Sequence, residues 1–164
     1  MMSGAIRWLL PVWAPNVHPL LVHFPIALLF TGVLIDIVAV PLPVRARDFL
    51  RHVGTALYCL GAFAAFATYL TGRAASQTVL VPGMADALVK AHWDWAFWTV
   101  WYFAGLAVVR LALLIRSALG GRTIAVLAVA GLFGLGLIYG TAERGAELVY
   151  EHGVGVRVLP TGAR

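Results

Sequence analysis

Cysteine and charge are what this chain has least of. A single cysteine, Cys59, stands among 164 residues. No disulfide, Cys-based zinc cage or iron–sulfur site can therefore form within the chain itself. Charged residues make up 12% of the sequence, against about 25% in a soluble domain. Also missing are the constellations of hydrolases and transferases. No nucleophile–base pair, enclosed carboxylate pair or phosphate-cradling loop is legible, so no turnover is expected of this chain alone. No cleavable signal peptide is read either, because Met1–Asn16 is short, holds Pro11 and Pro15, and lacks a small-residue cleavage pattern.

What is abundant is apolar surface. Hydrophobic residues account for 62% of the chain, and its mean hydropathy is +0.90. Water is not the solvent for most of such a surface, and the length fits one domain. The net charge of +5 would raise the question of nucleic acid in a soluble protein. Here the arginines sit beside apolar runs and form no basic face with interleaved aromatics, so nucleic acid is not an expected partner.

Four apolar stretches approach the ~20 residues that span a ~30 Å hydrocarbon core. They lie near Pro19–Val40, Leu50–Thr71, Trp93–Ile115 and Thr123–Ala142. Pro41 and Pro43 end the first, Gly120-Gly121 separates the last two, and a long loop surrounds Pro82-Gly83. The runs are continuous and do not alternate, which excludes a barrel reading. The expected fold is an all-α integral membrane protein: one domain over 1–164, a four-transmembrane-helix bundle with an N-terminal interfacial segment and a C-terminal tail at the outer face.

Arginine placement gives an expected orientation. Arg45, Arg47 and Arg51 follow the first span, and Arg116 and Arg122 follow the third. The positive-inside rule puts those connections in the cytoplasm of a bacterial inner membrane, and both termini in the periplasm. Trp8, Trp13, Trp93, Trp95 and Trp98 then fall near the outer ends, where indoles rest at headgroup level. Residues 7–17 are expected to lie along the outer surface, and Leu148, Val149 and Tyr150 to rest on the bundle mouth.

Four of the five histidines gather at that same end. His18 and His23 bracket the start of the first span, His92 opens the third, and His152 follows the fourth, while His52 sits at the opposite end. Five residues turn His18 and His23 apart by about 140° at ~100° per residue, so an ideal helix cannot aim both at one small site. Pro19 suits a first helical turn, and Pro25 should kink the helix or free the carbonyl four residues earlier. Ionisable groups at membrane depth are expensive and read first as functional. Gly136 and Gly140 fit a small-xxx-small packing pattern. Asp36 and Arg110 are the charges most clearly inside apolar runs, and a structural ion pair between them is expected to lower the cost of burying either.

The run Asn16-Val-His-Pro-Leu-Leu-Val-His-Phe-Pro-Ile-Ala-Leu-Leu resembles the opening motif of a widespread bacterial family of predicted membrane proteins, a domain of unknown function. Leu148-Val-Tyr-Glu-His-Gly-Val-Gly-Val156 is similar to its closing signature. The resemblance implies a four-helix membrane bundle, found alongside or fused to c-type cytochromes. That context implies haem b and electron transfer, with His18, His23, His92 and His152 fitting the pattern of axial ligands.

The leading expectation is a haem b-binding electron-transfer subunit of a periplasm-facing redox chain. Four imidazoles suffice for one or two haems, paired as His23 with His92 and His18 with His152. A c-type cytochrome or quinone is the expected redox partner, within a larger membrane complex or homo-oligomer. The same imidazoles also suit copper or zinc, and a ligand-free structural anchor subunit is the third reading.

Overall fold

The computed structural model describes residues 16–79 and 85–156. Among them every regular element is an α-helix: α1 (His18–Leu21), α2 (His23–Ala39), α3 (Val44–Ala75), α4 (Asp86–Ile115) and α5 (Gly121–Tyr150). α1 and α2 form one span with a break at Val22, which makes four spans in all, each long and apolar enough to cross a membrane. The chain is an all-α integral membrane protein built as a four-helix bundle. Most of residues 7–17, the centre of the loop around Pro82-Gly83, and the end of the C-terminal tail lie outside the described residues.

The spans are longer than apolar runs alone predict. α3 begins at Val44, and its first turns carry Arg45, Arg47 and Arg51, so these arginines are helical rather than part of a connection. α5 continues to Tyr150 through Glu143, Arg144 and Glu147. The reason is geometric. A helix of 32 residues, such as α3, is a rod of about 48 Å, and only ~30 Å of it can lie in hydrocarbon. Hydropathy reads the lipid-immersed part, while backbone hydrogen bonding carries the helix past it. Arg47 closes one such end, donating to the carbonyls of Ala39, Val40 and Leu42 where α2 runs out of intrahelical donors.

The helices form a ring in which α2 packs on α3, α3 on α4, α4 on α5, and α5 back on α2. Neighbours along the chain run antiparallel. Leu29 packs over Gly61, Gly32 against Tyr58, and Phe103 against Gly134. The bundle centre is Leu29, Val33, Tyr58, Ala62, Phe103 and Ala107. Only 22–33% of each apolar window is buried inside the bundle. The remainder, including Phe30, Phe63, Trp101 and Phe133, faces outward as a lipid-facing surface does. Small residues set the spacing, since a Cβ at Gly131 would stand 2.5 Å from the Tyr58 hydroxyl. Gly136 does not share this role: it faces open space, and only Gly140 of that pair meets a neighbour, the Trp95 ring.

Candidate functional site

Asn16, Pro19 and Pro25 shape the entry into the first span. Asn16 is buried, and its Oδ1 accepts the backbone N–H of His18 at 3.1 Å, satisfying one of the orphan donors of a helix start. Pro19 occupies the first turn of α1, where its missing N–H leaves no gap. Pro25 has no N–H to offer the Leu21 carbonyl four residues back. That carbonyl instead accepts the Thr68 hydroxyl of α3 at 3.3 Å. The break between α1 and α2 is thus stitched to the neighbouring helix, and it fixes the depth and rotation of His18.

His18 reaches across to the same turn of α3. Its Nδ1 lies 3.1 Å from the Thr68 carbonyl oxygen, which also accepts the Thr71 hydroxyl at 2.9 Å. A carbonyl only accepts, so Nδ1 carries the proton and Nε2 keeps a bare lone pair. The ring rests on Gly72, where a Cβ would come within 2.8 Å of His18 Cε1.

His92 repeats this arrangement one hairpin later. Its Nδ1 lies 3.0 Å from the Thr141 carbonyl of α5, and its ring rests on Gly145, where a Cβ would stand 3.1 Å from Cε1. In each half of the chain a histidine at the start of one span docks on the following helix. The seat is a threonine carbonyl with a glycine four residues later: Thr68 and Gly72, then Thr141 and Gly145. Both rings have the same tautomer by the same reasoning, and both leave Nε2 free. Tyr58 of α3 meets Gly131 of α5, and Gly72 and Gly145 lie equally far along their helices from that contact, so the two seats stand at one level. The register that sets Leu29 on Gly61 sets His18 on Gly72, and the one that sets Trp95 on Gly140 sets His92 on Gly145.

The other two histidines stand differently. His23 is exposed, with Nδ1 3.4 Å from the Leu20 carbonyl of its own segment, as the large turn between it and His18 dictates. His152 is half-buried in the turn after α5. Gly153 has φ +63° and Gly155 φ +78°, left-handed values that reverse the chain after α5. Val154 N–H bonds the Leu148 carbonyl at 2.9 Å, and the closing segment comes to Val79 beyond α3. The structure thus seats His18 and His92 alike on the helix that follows each of them, while His23 bonds only within its own segment. Among the described residues no group of three or more His, Cys, Asp or Glu side chains is arranged to hold a metal ion.

Two arginines flank the layer. Arg73 lies over the Trp93 ring with its guanidinium carbon 5.4 Å from the centroid, and Arg144 lies over Trp95 at 4.2 Å. Arg144 also donates Nη1 to its own helix at the Gly140 carbonyl. Neither Arg73, Arg144 nor either threonine-glycine seat is conspicuous in the sequence. The signal that finds the seats is Thr-x-x-x-Gly occurring at the same end of both second helices.

Asp36 and Arg110 occupy the other end of the bundle. Arg110 Nη1 donates to Asp36 Oδ2 at 2.6 Å, with both side chains almost fully buried. The guanidinium lies on the Tyr58 ring, 4.6 Å from its centroid. A Cβ at Gly54 would stand 2.8 Å from Arg110 Nη2. Asp36 from α2, Gly54 and Tyr58 from α3, Arg110 from α4 and Gly131 from α5 thus meet in one polar layer that touches all four spans.

A family model described as predicted membrane protein (DUF2231) matches residues 14–158. No curated protein matches the chain, and no solved structure does.

Proposed function

Because the chain belongs to this family of predicted membrane proteins of unknown function, its chemistry must be read from its own residues, and we propose that it is a haem b-binding electron-transfer protein. The observation that carries this reading is the pair His18 and His92. They are two imidazoles at one level, each with Nδ1–H committed to a carbonyl of the adjacent helix and Nε2 free. A carbonyl partner on the far nitrogen is the usual companion of a metal-bound histidine, fixing the ring and raising its basicity.

The number of ligands decides among metals. Structural zinc takes four protein ligands and catalytic zinc three. Haem iron needs only two axial ligands from the protein, since the macrocycle supplies the rest. A half-chain that presents one imidazole, matched by a second that presents another, fits that demand. Two neutral imidazoles also suit monovalent copper, and this is the second reading. His23 and His152 are not needed for the first centre. They remain candidates for a second haem.

When bound, haem iron supplies one-electron exchange between its ferrous and ferric states. The rest falls to the chain. The threonine carbonyls orient the two rings, Gly72 and Gly145 let the rings lie against α3 and α5, and the lipid-facing helices exclude water below the layer. The five arginines Arg45, Arg47, Arg51, Arg116 and Arg122 crowd the opposite end. By the positive-inside rule that end is cytoplasmic in a bacterial inner membrane, which sets the histidine layer and both termini toward the periplasm. A site at that depth exchanges electrons with a c-type cytochrome at the surface or with a quinone, as a subunit of a larger complex or a homo-oligomer.

The test is a pyridine haemochrome assay on the detergent-purified protein, with metal analysis in parallel. The proposal expects haem b at about one per chain. A colourless protein carrying copper supports the second reading. A protein with neither supports an anchor subunit that binds nothing.

A further inference from the structure

The histidine layer has a charge pattern as well as a ligand pattern. Trp93 and Trp95 stand one and three residues after His92 on α4. At ~100° per residue they lie about 100° to one side of the imidazole and about 60° to the other. Arg73 comes from α3 to cover the first indole, and Arg144 comes from α5 to cover the second. The two guanidiniums therefore flank His92 on both sides, each held flat by an aromatic face. Each also adjoins a seat. Arg73 follows Gly72 and Arg144 precedes Gly145, so each sits beside the glycine that seats an imidazole.

Cation–aromatic stacking uses the face of a guanidinium and leaves its edge donors free. Arg144 spends one of them on the Gly140 carbonyl. Among the described residues neither arginine has a carboxylate within salt-bridge distance, although Glu143 and Glu147 are nearby in sequence. Two fixed cations without anions, on either side of a ring with a free lone pair, call for a ligand with two anionic oxygen groups near its metal. Resting on the proposed haem site, we infer that Arg73 and Arg144 hold the two propionate carboxylates of the macrocycle, and so select a dianionic porphyrin and set its rotation. The same guanidinium edges also match the phosphate of an anionic lipid, and the experiment separates the two sources.

Haem-free protein is reconstituted in phosphatidylcholine nanodiscs, which contain no anionic lipid, and titrated with haem b or with its dimethyl ester, in which both carboxylates are neutral. The Soret band reads binding. Charge-assisted contacts are the strong class of hydrogen bond, so haem b is expected to bind about a hundredfold more tightly than the ester, about tenfold for each arginine. The Arg73→Gln/Arg144→Gln double variant should bind both forms with the affinity of the ester. The comparison on unaltered protein needs no variant to fold. Equal binding of haem b and its ester overturns the assignment of the arginines while leaving the haem site intact. No shift of the Soret band from its free-haem position with either form overturns the haem site and this inference with it. Retention of anionic lipid by the unaltered protein but not by the double variant, together with equal binding of the two haems, assigns the arginines to lipid instead.

Discussion

The two ends of the bundle solve the problem of polar groups in a membrane in opposite ways. His18 and Asp36 are 18 residues apart along one span, about 27 Å at the helical rise, so the two polar layers bracket roughly the thickness of the hydrocarbon. At the ion-pair end the groups are buried and paired within the chain, Arg110 Nη1 to Asp36 with the Tyr58 face beneath, while Arg110 Nε and Nη2 and the Tyr58 hydroxyl have no hydrogen-bond partner among the described residues. At the histidine end they are imidazoles, half-exposed, with one nitrogen matched and one left over. A buried ion pair in a layer that touches every helix is a clasp. An open layer of lone pairs is a place for something else to bind. The difference predicts that damage at the first costs stability and damage at the second costs a ligand.

The largest effect is expected at Asp36. Asp36→Ala leaves Arg110 charged, buried and alone, and should destabilise the bundle by about 3–5 kcal/mol, read as denaturant unfolding in detergent. Replacing both partners, as Asp36→Leu with Arg110→Met, should recover most of that loss, because an apolar pair of similar volume needs no counter-charge. Failure of the double variant to recover would mean that the layer does more than clasp the helices.

Next in size is Gly131→Ala. A Cβ there meets the Tyr58 hydroxyl at 2.5 Å and Val33 Cγ2 at 2.8 Å, and overpacking of this kind costs about 1–3 kcal/mol. The same change at Gly136, which meets nothing within 4 Å, should cost nothing measurable. Equal losses at the two positions would contradict the packing described for α5.

Thr68→Val sharpens the comparison at the histidine end. It removes the hydroxyl that satisfies the Leu21 carbonyl freed by Pro25, at about 1 kcal/mol, yet keeps the backbone carbonyl that seats His18. Stability should fall slightly while ligand binding survives. The smallest effect belongs to the exposed pair Lys90 and Asp94: Lys90→Ala should stay within about 0.5 kcal/mol of the parent in the same unfolding assay.

How much of this was readable in the sequence follows from which interactions are local. The four spans and the membrane class were legible because twenty apolar residues in a row have few other meanings. Helix ends were not, since hydropathy stops at the headgroups while α3 and α5 continue through Arg45 and Arg144. Asp36 and Arg110 stood out as lone charges in apolar runs, and the structure sets them 2.6 Å apart. The gathering of histidines at one end was visible from topology. Which imidazoles are seated on a neighbouring helix was not, because it depends on the turn of each helix and on Thr68, Gly72, Thr141 and Gly145 contributed by other spans. Pro25 was the one local clue, and its freed carbonyl proved to be where α3 takes hold.

The central claim is that His18 and His92 jointly face one ligand while His23 does not, and the visible spectrum of three single variants tests it most directly. With His18→Ala, His92→Ala and His23→Ala purified in parallel, the account predicts that the first two lose the bis-imidazole haem spectrum at unchanged folding and that the third keeps it. Full haem content in both His18→Ala and His92→Ala, or its loss in His23→Ala alone, would contradict the account.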